Sequence, residues 1–228
     1  IRADFLMKQG HITPCEVYAI EMDYAPKEVK DGFKTLHQRS EEDRKRLLNL
    51  EQNYAIQSEA RLEFITDMIL KNKKNSLVLF YRIEYGNKLY DRLREKTNRR
   101  VFYIDGSTDK ELREKQKDLL EDGEGKVMIA SYGTFSTGIN VTNIHSIYLT
   151  ESFKSEVIIR QSIGRGLRKH ATKDKLLIID FVDDYRAGRF KNYLYKHSIA
   201  RQEIYKEQNF PFRIKNIDLN KLYPSKDI

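Results

Sequence analysis

Residues 126–140 read KVMIASYGTFSTGIN. The opening KVMIA, at 126–130, is a short apolar run that follows glycine, the pattern of a buried strand. The residues after it are small or hydroxylated: Ser131, Gly133, Thr134, Ser136, Thr137 and Gly138. Such residues favour turns, so the stretch predicts a strand delivering a loop. Free amides and hydroxyls at a strand end suit phosphate oxygens; an ordinary surface loop has the same composition.

The same rhythm repeats on both sides. LVLFY at 77–81, VFYI at 101–104, HSIYLT at 145–150 and KLLIIDFVD at 175–183 are further short apolar strands. Helical patterns separate most of them, including NKLYDRLREK and KELREKQKDLLEDGEG. Alternation of this kind predicts an α/β fold with a parallel sheet flanked by helices. Ligands bind at the carboxyl ends of such strands, which gathers YRIEYG, DGSTD and SYGTFSTGIN at one edge. Upstream, 11–23 reads as an extended segment and 27–75 as polar and helical. The best helix there is SEARLEFITDMILKNKK, with Leu62, Ile65 and Ile69 on one face and Ser58 as its cap. After 185 a basic, tyrosine-rich helix is expected at about 190–209, then an extended tail, FPFRIKNIDL.

Composition narrows the partners. The 228 residues carry a net charge of +8, and residues 151–228 hold 17 Lys+Arg against 10 Asp+Glu, which places +7 in the last third. An anionic partner such as nucleic acid fits this excess; a merely soluble surface would show it too. A single cysteine, Cys15, excludes a disulfide framework and suits a reducing compartment. The longest apolar run, LLIIDFV at 176–182, is too short to span a bilayer, so a cytoplasmic chain with no membrane partner is expected. The five histidines have no metal-site spacing, and no metal ligand is assigned.

QSIGRGLR, residues 161–168, sets Arg165 and Arg168 three apart with glycines around the first. Paired guanidinium forks match phosphate oxygens and answer the charge that develops on a transferring phosphoryl group. Glycine on both sides suits a turned backbone or a close ligand. A surface arginine pair bridging acids would need the charges but not the glycines.

The two stretches together resemble motifs V (ASYGTFSTGIN) and VI (QSIGRGLR) of superfamily two helicases and translocases, in the same order and spacing. LVLFY with RIEYGNKLYDRL resembles motif IV. Gly106, Ser107, Thr108, Arg113 and Gly123 fall where the family has glycine, small hydroxyl, arginine and glycine. The resemblance covers about 76–185, a whole second RecA-like domain. It implies ATP lying between two such domains, with Arg165 and Arg168 as arginine fingers and Gln161 and Gly164 shaping the turn. Gly138 and Asn140 match positions near the nucleotide ribose. The family often has aspartate where Asn140 stands, and an amide hydrogen-bonds a hydroxyl without bringing charge. Ser131 and Thr134 match positions that hold a nucleic-acid backbone. Arg82, just past the motif IV strand, is a further phosphate candidate, or a solvated loop arginine.

No phosphate-cradling G-x-x-x-x-G-K-[ST] and no D-E-x-x box occurs. LLIID, ending at Asp180, imitates a magnesium-holding strand, but without a phosphate loop Asp180 reads as structural. ATP and Mg²⁺ are therefore expected to be held mainly by a preceding motor domain. On this reading 1–25 is the exit from that domain and a hinge, 26–75 a helical lead-in, 76–185 the RecA-like domain and 186–228 a basic helical tail. The resemblance implies an ATP-dependent DNA helicase that remodels branched DNA or an RNA–DNA hybrid, inactive as this piece alone. A double-strand DNA translocase shares the motifs, and a non-catalytic nucleic-acid-binding module shares the charge. Tyr185, Tyr193, Tyr195 and Tyr205 read as packing rather than base-stacking residues.

Overall fold

The computed structural model describes residues 3–138, 141–152 and 155–223. A short helix α1 (Ala3–Lys8) leads to strand β1 (Cys15–Asp23) and three helices, α2 (Lys27–Arg39), α3 (Glu41–Gln57) and α4 (Glu59–Lys71). Strands and helices then alternate: β2 (Ser76–Phe80), α5 (Ile83–Lys96), β3 (Val101–Ile104), α6 (Lys110–Glu121), β4 (Val127–Ser131), α7 (Tyr132–Gly138), β5 (Ser146–Leu149), α8 (Glu156–Gly166) and β6 (Leu176–Asp183). Helix α9 (Tyr193–Glu207), β7 (Phe212–Asp218) and α10 (Leu219–Leu222) complete the order.

The strands form one seven-stranded sheet in the order β3-β4-β2-β5-β6-β1-β7. Every pairing is parallel. Strand alternation explains the layers. Leu77 and Leu79 of β2 face one cluster with Met128, Ile147 and Ile178. Val78 and Phe80 face the other, with Ile129, Tyr148 and Phe181. Helices α2 to α5 cover the second face; α8 and the Ile204–Tyr205 end of α9 cover the first. Burial on both faces is why the strands read as unbroken apolar runs.

The sheet extends past 76–185. The segment read as hinge supplies β1, whose Cys15 pairs with Leu176, and the extended tail supplies β7, whose Phe212 pairs with Val17. Helix α4 begins as its sequence predicts, with the Arg61 amide donating to Ser58 Oγ at 3.3 Å. Its fully buried Arg61 donates from Nε to Asp183 Oδ1 at 2.6 Å and from Nη2 to the Thr150 carbonyl at 2.5 Å. The lead-in helices are thereby fastened to the ends of β5 and β6.

One local expectation is overturned. The hydroxyl-rich stretch after β4 is a helix, not a loop. Ser131 Oγ accepts from the Thr134 amide at 3.3 Å and donates to Thr134 Oγ1 at 2.8 Å, capping the helix start. Tyr132 and Phe135, 1% and 0% exposed, anchor it in the core.

Candidate functional site

Helix α8 has two faces. Ser155 caps it, accepting from the Ile158 amide at 3.5 Å. Ile159, Ser162, Ile163 and Gly166 recur at helical spacing and are buried. Gln161, Gly164 and Arg165 occupy the opposite face; the first two are exposed and Arg165 is half-buried. Arg168, exposed, lies just beyond the helix, where its amide donates to the Arg165 carbonyl at 3.2 Å. Burial, and then the positive charge of Arg168, hold the Arg165 pKa below the ordinary arginine value. Two like charges brought within each other's field suit an anion.

The glycines of this stretch do different work from the turn expected of them. Both lie within α8, and neither has a positive φ. A Cβ on Gly166 would sit 2.5 Å from Ile147 Cδ1 and 3.0 Å from Leu176 Cδ2, so glycine lets the helix end close on β5 and β6. A Cβ on Gly164 would meet nothing within 4 Å. Gly164 thus leaves open space on the exposed side of the helix, where it borders a cleft lined by Arg160, Leu167 and Ile204.

The end of α8 is held by two residues, Thr13 and Lys173. The Thr13 amide donates to the Leu167 carbonyl at 2.8 Å, and Thr13 Oγ1 to the Arg168 carbonyl at 3.3 Å. Lys173 Nζ donates to the carbonyls of Gly166 at 2.9 Å and Thr142 at 2.8 Å. Lys173 is 6% exposed, and burial lowers its pKa to about 8 against the opposing pull of Glu121. Lys173 thus joins the end of α8 to the segment after α7. No sequence pattern marked it; only the fold brings 142, 166 and 173 together.

The predicted residues fall into two groups. Ser131, half-buried, and Thr134, buried, lie at the carboxyl edge of the sheet. Arg82 starts α5 at the same edge, and its amide and that of Tyr81 donate to Glu151 Oε2 at 3.0 and 2.7 Å. The Arg82 side chain is engaged with α3, donating to Gln52 Oε1 at 2.8 Å and to Asn53 Oδ1. Arg165 and Arg168 lie at the opposite, amino edge, because α8 runs back from the end of β5 to the start of β6. Helix α7 starts beside Ser131 at the carboxyl edge and carries Phe135, whose ring packs against the Arg165 guanidinium. Gly138 closes that helix; Asn140 lies outside the described residues.

Asp180 is 0% exposed, and both its oxygens are taken by Arg201, with Nη2 at 2.7 Å, and by the Tyr205 hydroxyl at 2.8 Å. It is a structural charge. Tyr185 and Tyr205 are fully buried and Tyr195 is 8% exposed, so these tyrosines pack the core. Among the described residues no group of three or more His, Cys, Asp or Glu side chains is placed to hold a metal, and no helix is long and apolar enough to cross a membrane.

Comparison with known proteins agrees with this architecture. The family described as helicase conserved C-terminal domain matches residues 60–170. The ATP-dependent DNA helicase UvsW of Enterobacteria phage T4 is 31% identical over 227 residues, covering 94% of this chain and 43% of UvsW. The crystal structure of T4 UvsW superposes with a TM-score of 0.67 at 27% identity, over 91% of this chain and 42% of that one. IRC3 of Saccharomyces cerevisiae is 36% identical over 86 residues, 38% of this chain and 12% of its own length. The ATP-dependent Type ISP restriction-modification enzyme LlaBIII, solved bound to DNA, shares the fold alone: TM-score 0.61 at 14% identity, over 96% of this chain and 16% of that one. The chain spans less than half the length of the curated relatives it matches. Residues 60–170 thus belong to the helicase conserved C-terminal domain family, and the parallel sheet flanked by helices is the RecA-like fold of such domains, similar to T4 UvsW.

Proposed function

We propose that this chain is the second motor domain of an ATP-dependent DNA helicase that remodels branched DNA in recombination and repair. Its partners are then DNA and its own preceding motor domain, with ATP as substrate, in the cytoplasm. The observation that carries the reading is the outer face of α8, where Gln161, Gly164 and Arg165 are presented beside Arg168. The donor set fits a polyphosphate: two guanidinium forks, a neighbouring amide and a glycine that leaves room.

In this reading Arg165 and Arg168 hold the γ-phosphoryl oxygens as charge builds on them. Gly138 and Asn140 match family positions near the ribose. Mg²⁺, held mainly by the preceding domain, would neutralise phosphate charge. Lys173 and Thr13 keep the end of α8 in place while the cleft closes. At the start of α7, Ser131 and Thr134 grip a DNA backbone, with Arg82 behind them. Closure at the arginine end would reach the DNA end through α7, a single rigid helix. The test is DNA-stimulated ATP turnover by the intact protein carrying Arg165→Ala or Arg168→Ala. Loss of turnover in a folded variant supports the reading, and normal turnover removes it.

A further inference from the structure

A cleft of about 550 Å³ lies away from both groups, between α2, the turn after β6 and the start of α9. Lys34, Arg189, Lys191 and Lys196 line it together with His37 and Phe190, and no carboxylate does. The fold builds this cluster from distant segments. Ala187 and Phe190 exchange backbone hydrogen bonds at 3.1 and 3.2 Å around a two-residue turn, and Gly188 takes a φ of +60° there. Glycine adopts that conformation readily, and the turn leaves Arg189 exposed. The His37 ring lies 5.4 Å from Phe190 and 6.0 Å from Tyr193, and Lys196 Nζ lies 4.9 Å from the Tyr193 ring centre.

Several cations elsewhere on the surface are neutralised by a neighbouring carboxylate. Lys45 pairs with Glu41, Arg46 with Glu42, and Arg92 with Glu59 and Glu63. The four cleft cations form no ion pair among the described residues. The positive field is felt inside the cleft: burial, then Lys196 and Arg44, lower the His37 pKa. Clustered unneutralised cations repel one another in the free protein and gain when a polyanion arrives. Tyr193, which packs against His37 and Lys196 of this cleft, borders a second one with Arg44, Gln52, Tyr81 and Ser152. That cleft reaches the carboxyl edge where Tyr81 and Arg82 leave β2. Cations, flat rings and continuity with that edge are the features of a surface that tracks a nucleic-acid backbone.

We propose that the cleft between α2 and α9 binds the phosphodiester backbone of DNA beyond the motor core, extending the grip of the Ser131–Thr134 edge. Helix α2 and the 187–191 turn lie outside the family match at 60–170. The proposal rests on the DNA-motor reading above.

The test is fluorescence anisotropy of a labelled duplex oligonucleotide with the intact protein, titrated over a range of salt. Removing a cation that neutralises one phosphate should lower the slope of log K against log salt by about 0.9. Replacing Lys34, Arg189, Lys191 and Lys196 by alanine together should reduce the slope by roughly 2–4. The exposed single changes Arg189→Ala and Lys191→Ala should each lower it by about 0.9 and guard against misfolding of the fourfold variant. Arg46→Ala and Lys206→Ala, at paired surface cations, should leave the slope unchanged. A wild-type slope in the cleft variants, with DNA-stimulated ATP turnover intact, overturns the cleft alone. A wild-type protein that ignores DNA but binds anionic vesicles through these residues overturns both readings.

Discussion

The guanidinium carbon of Arg165 lies 5.8 Å from the centre of the Phe135 ring. That pairing joins α8 to α7, the helix that Ser131 caps and in which Thr134 directly precedes Phe135. A ring face favours a guanidinium, and Phe135 is 0% exposed, so the arginine rests on a fixed support. Phe135→Leu keeps apolar volume but removes the ring. It should leave the fold in place, lower turnover by less than Arg165→Ala does, and loosen the dependence of ATP hydrolysis on DNA. Turnover with and without DNA checks this.

The two glycines of α8 should separate. Gly166→Ala drives a methyl into Ile147 and Leu176. Overpacking of that kind costs about 1–3 kcal/mol, so the melting temperature should fall. Gly164→Ala meets open space, and alanine is the better helix former by roughly 0.8–1.0 kcal/mol. Stability should hold or rise slightly while ATP turnover falls, because the methyl lies next to Arg165. Melting curves beside turnover numbers for the two variants decide it.

Much of this fold was legible in the sequence, and the remainder shows what local pattern lacks. The strands β2 to β6 and the Ser58 cap of α4 could be read because apolar runs and caps are local signals. The stretch after Ser131 read as a loop because its composition is that of turns; buried Tyr132 and Phe135 make it a helix. Cys15–Asp23 read as extended but not as sheet. Its partners Leu176–Asp183 and Phe212–Asp218 lie far along the chain, and no periodicity reports such pairing. For the same reason Lys173, and the meeting of Lys34 with Arg189, left no trace in the pattern.

Stability should depend on pH in two separate windows. Glu51 caps α9, accepting from the Leu194 amide at 3.0 Å, and burial outweighs its hydrogen bonds to raise its pKa from 4.5 to about 7. Between those values the folded chain holds a proton the unfolded chain has lost. This contribution is fully present below pH 4.5 and is lost as pH rises toward 7, by about 3 kcal/mol at roughly 1.4 kcal/mol per unit. Lys173 acts in the opposite sense: burial lowers its pKa from 10.5 to about 8. Its unfolded form binds the extra proton, so stability rises with pH between those values. Denaturant titrations of Glu51→Gln and Lys173→Met should flatten the first and second window respectively.

The isolated 228-residue chain should show no DNA-stimulated ATP hydrolysis, since it carries no phosphate-cradling loop. Turnover assays on the purified chain, alone and with duplex or single-stranded DNA, measure this. Steady turnover would mean that the chain holds a complete site.

In the proposed function Arg165 and Arg168 act on ATP rather than on the surface of their own domain. The most direct measurement is the ATP turnover number of Arg168→Ala in the intact protein, taken beside its melting temperature. Arginine fingers are worth roughly 10³–10⁵ in rate, and the lower end is expected where two share the charge. Arg168→Lys should fail too, because a point charge does not replace a fork. The expected result is a folded variant with a near-normal melting temperature, retained nucleotide binding and turnover reduced about 10³-fold. A surface arginine would show at most about 1 kcal/mol of stability change and normal turnover, and that result would contradict the proposed role.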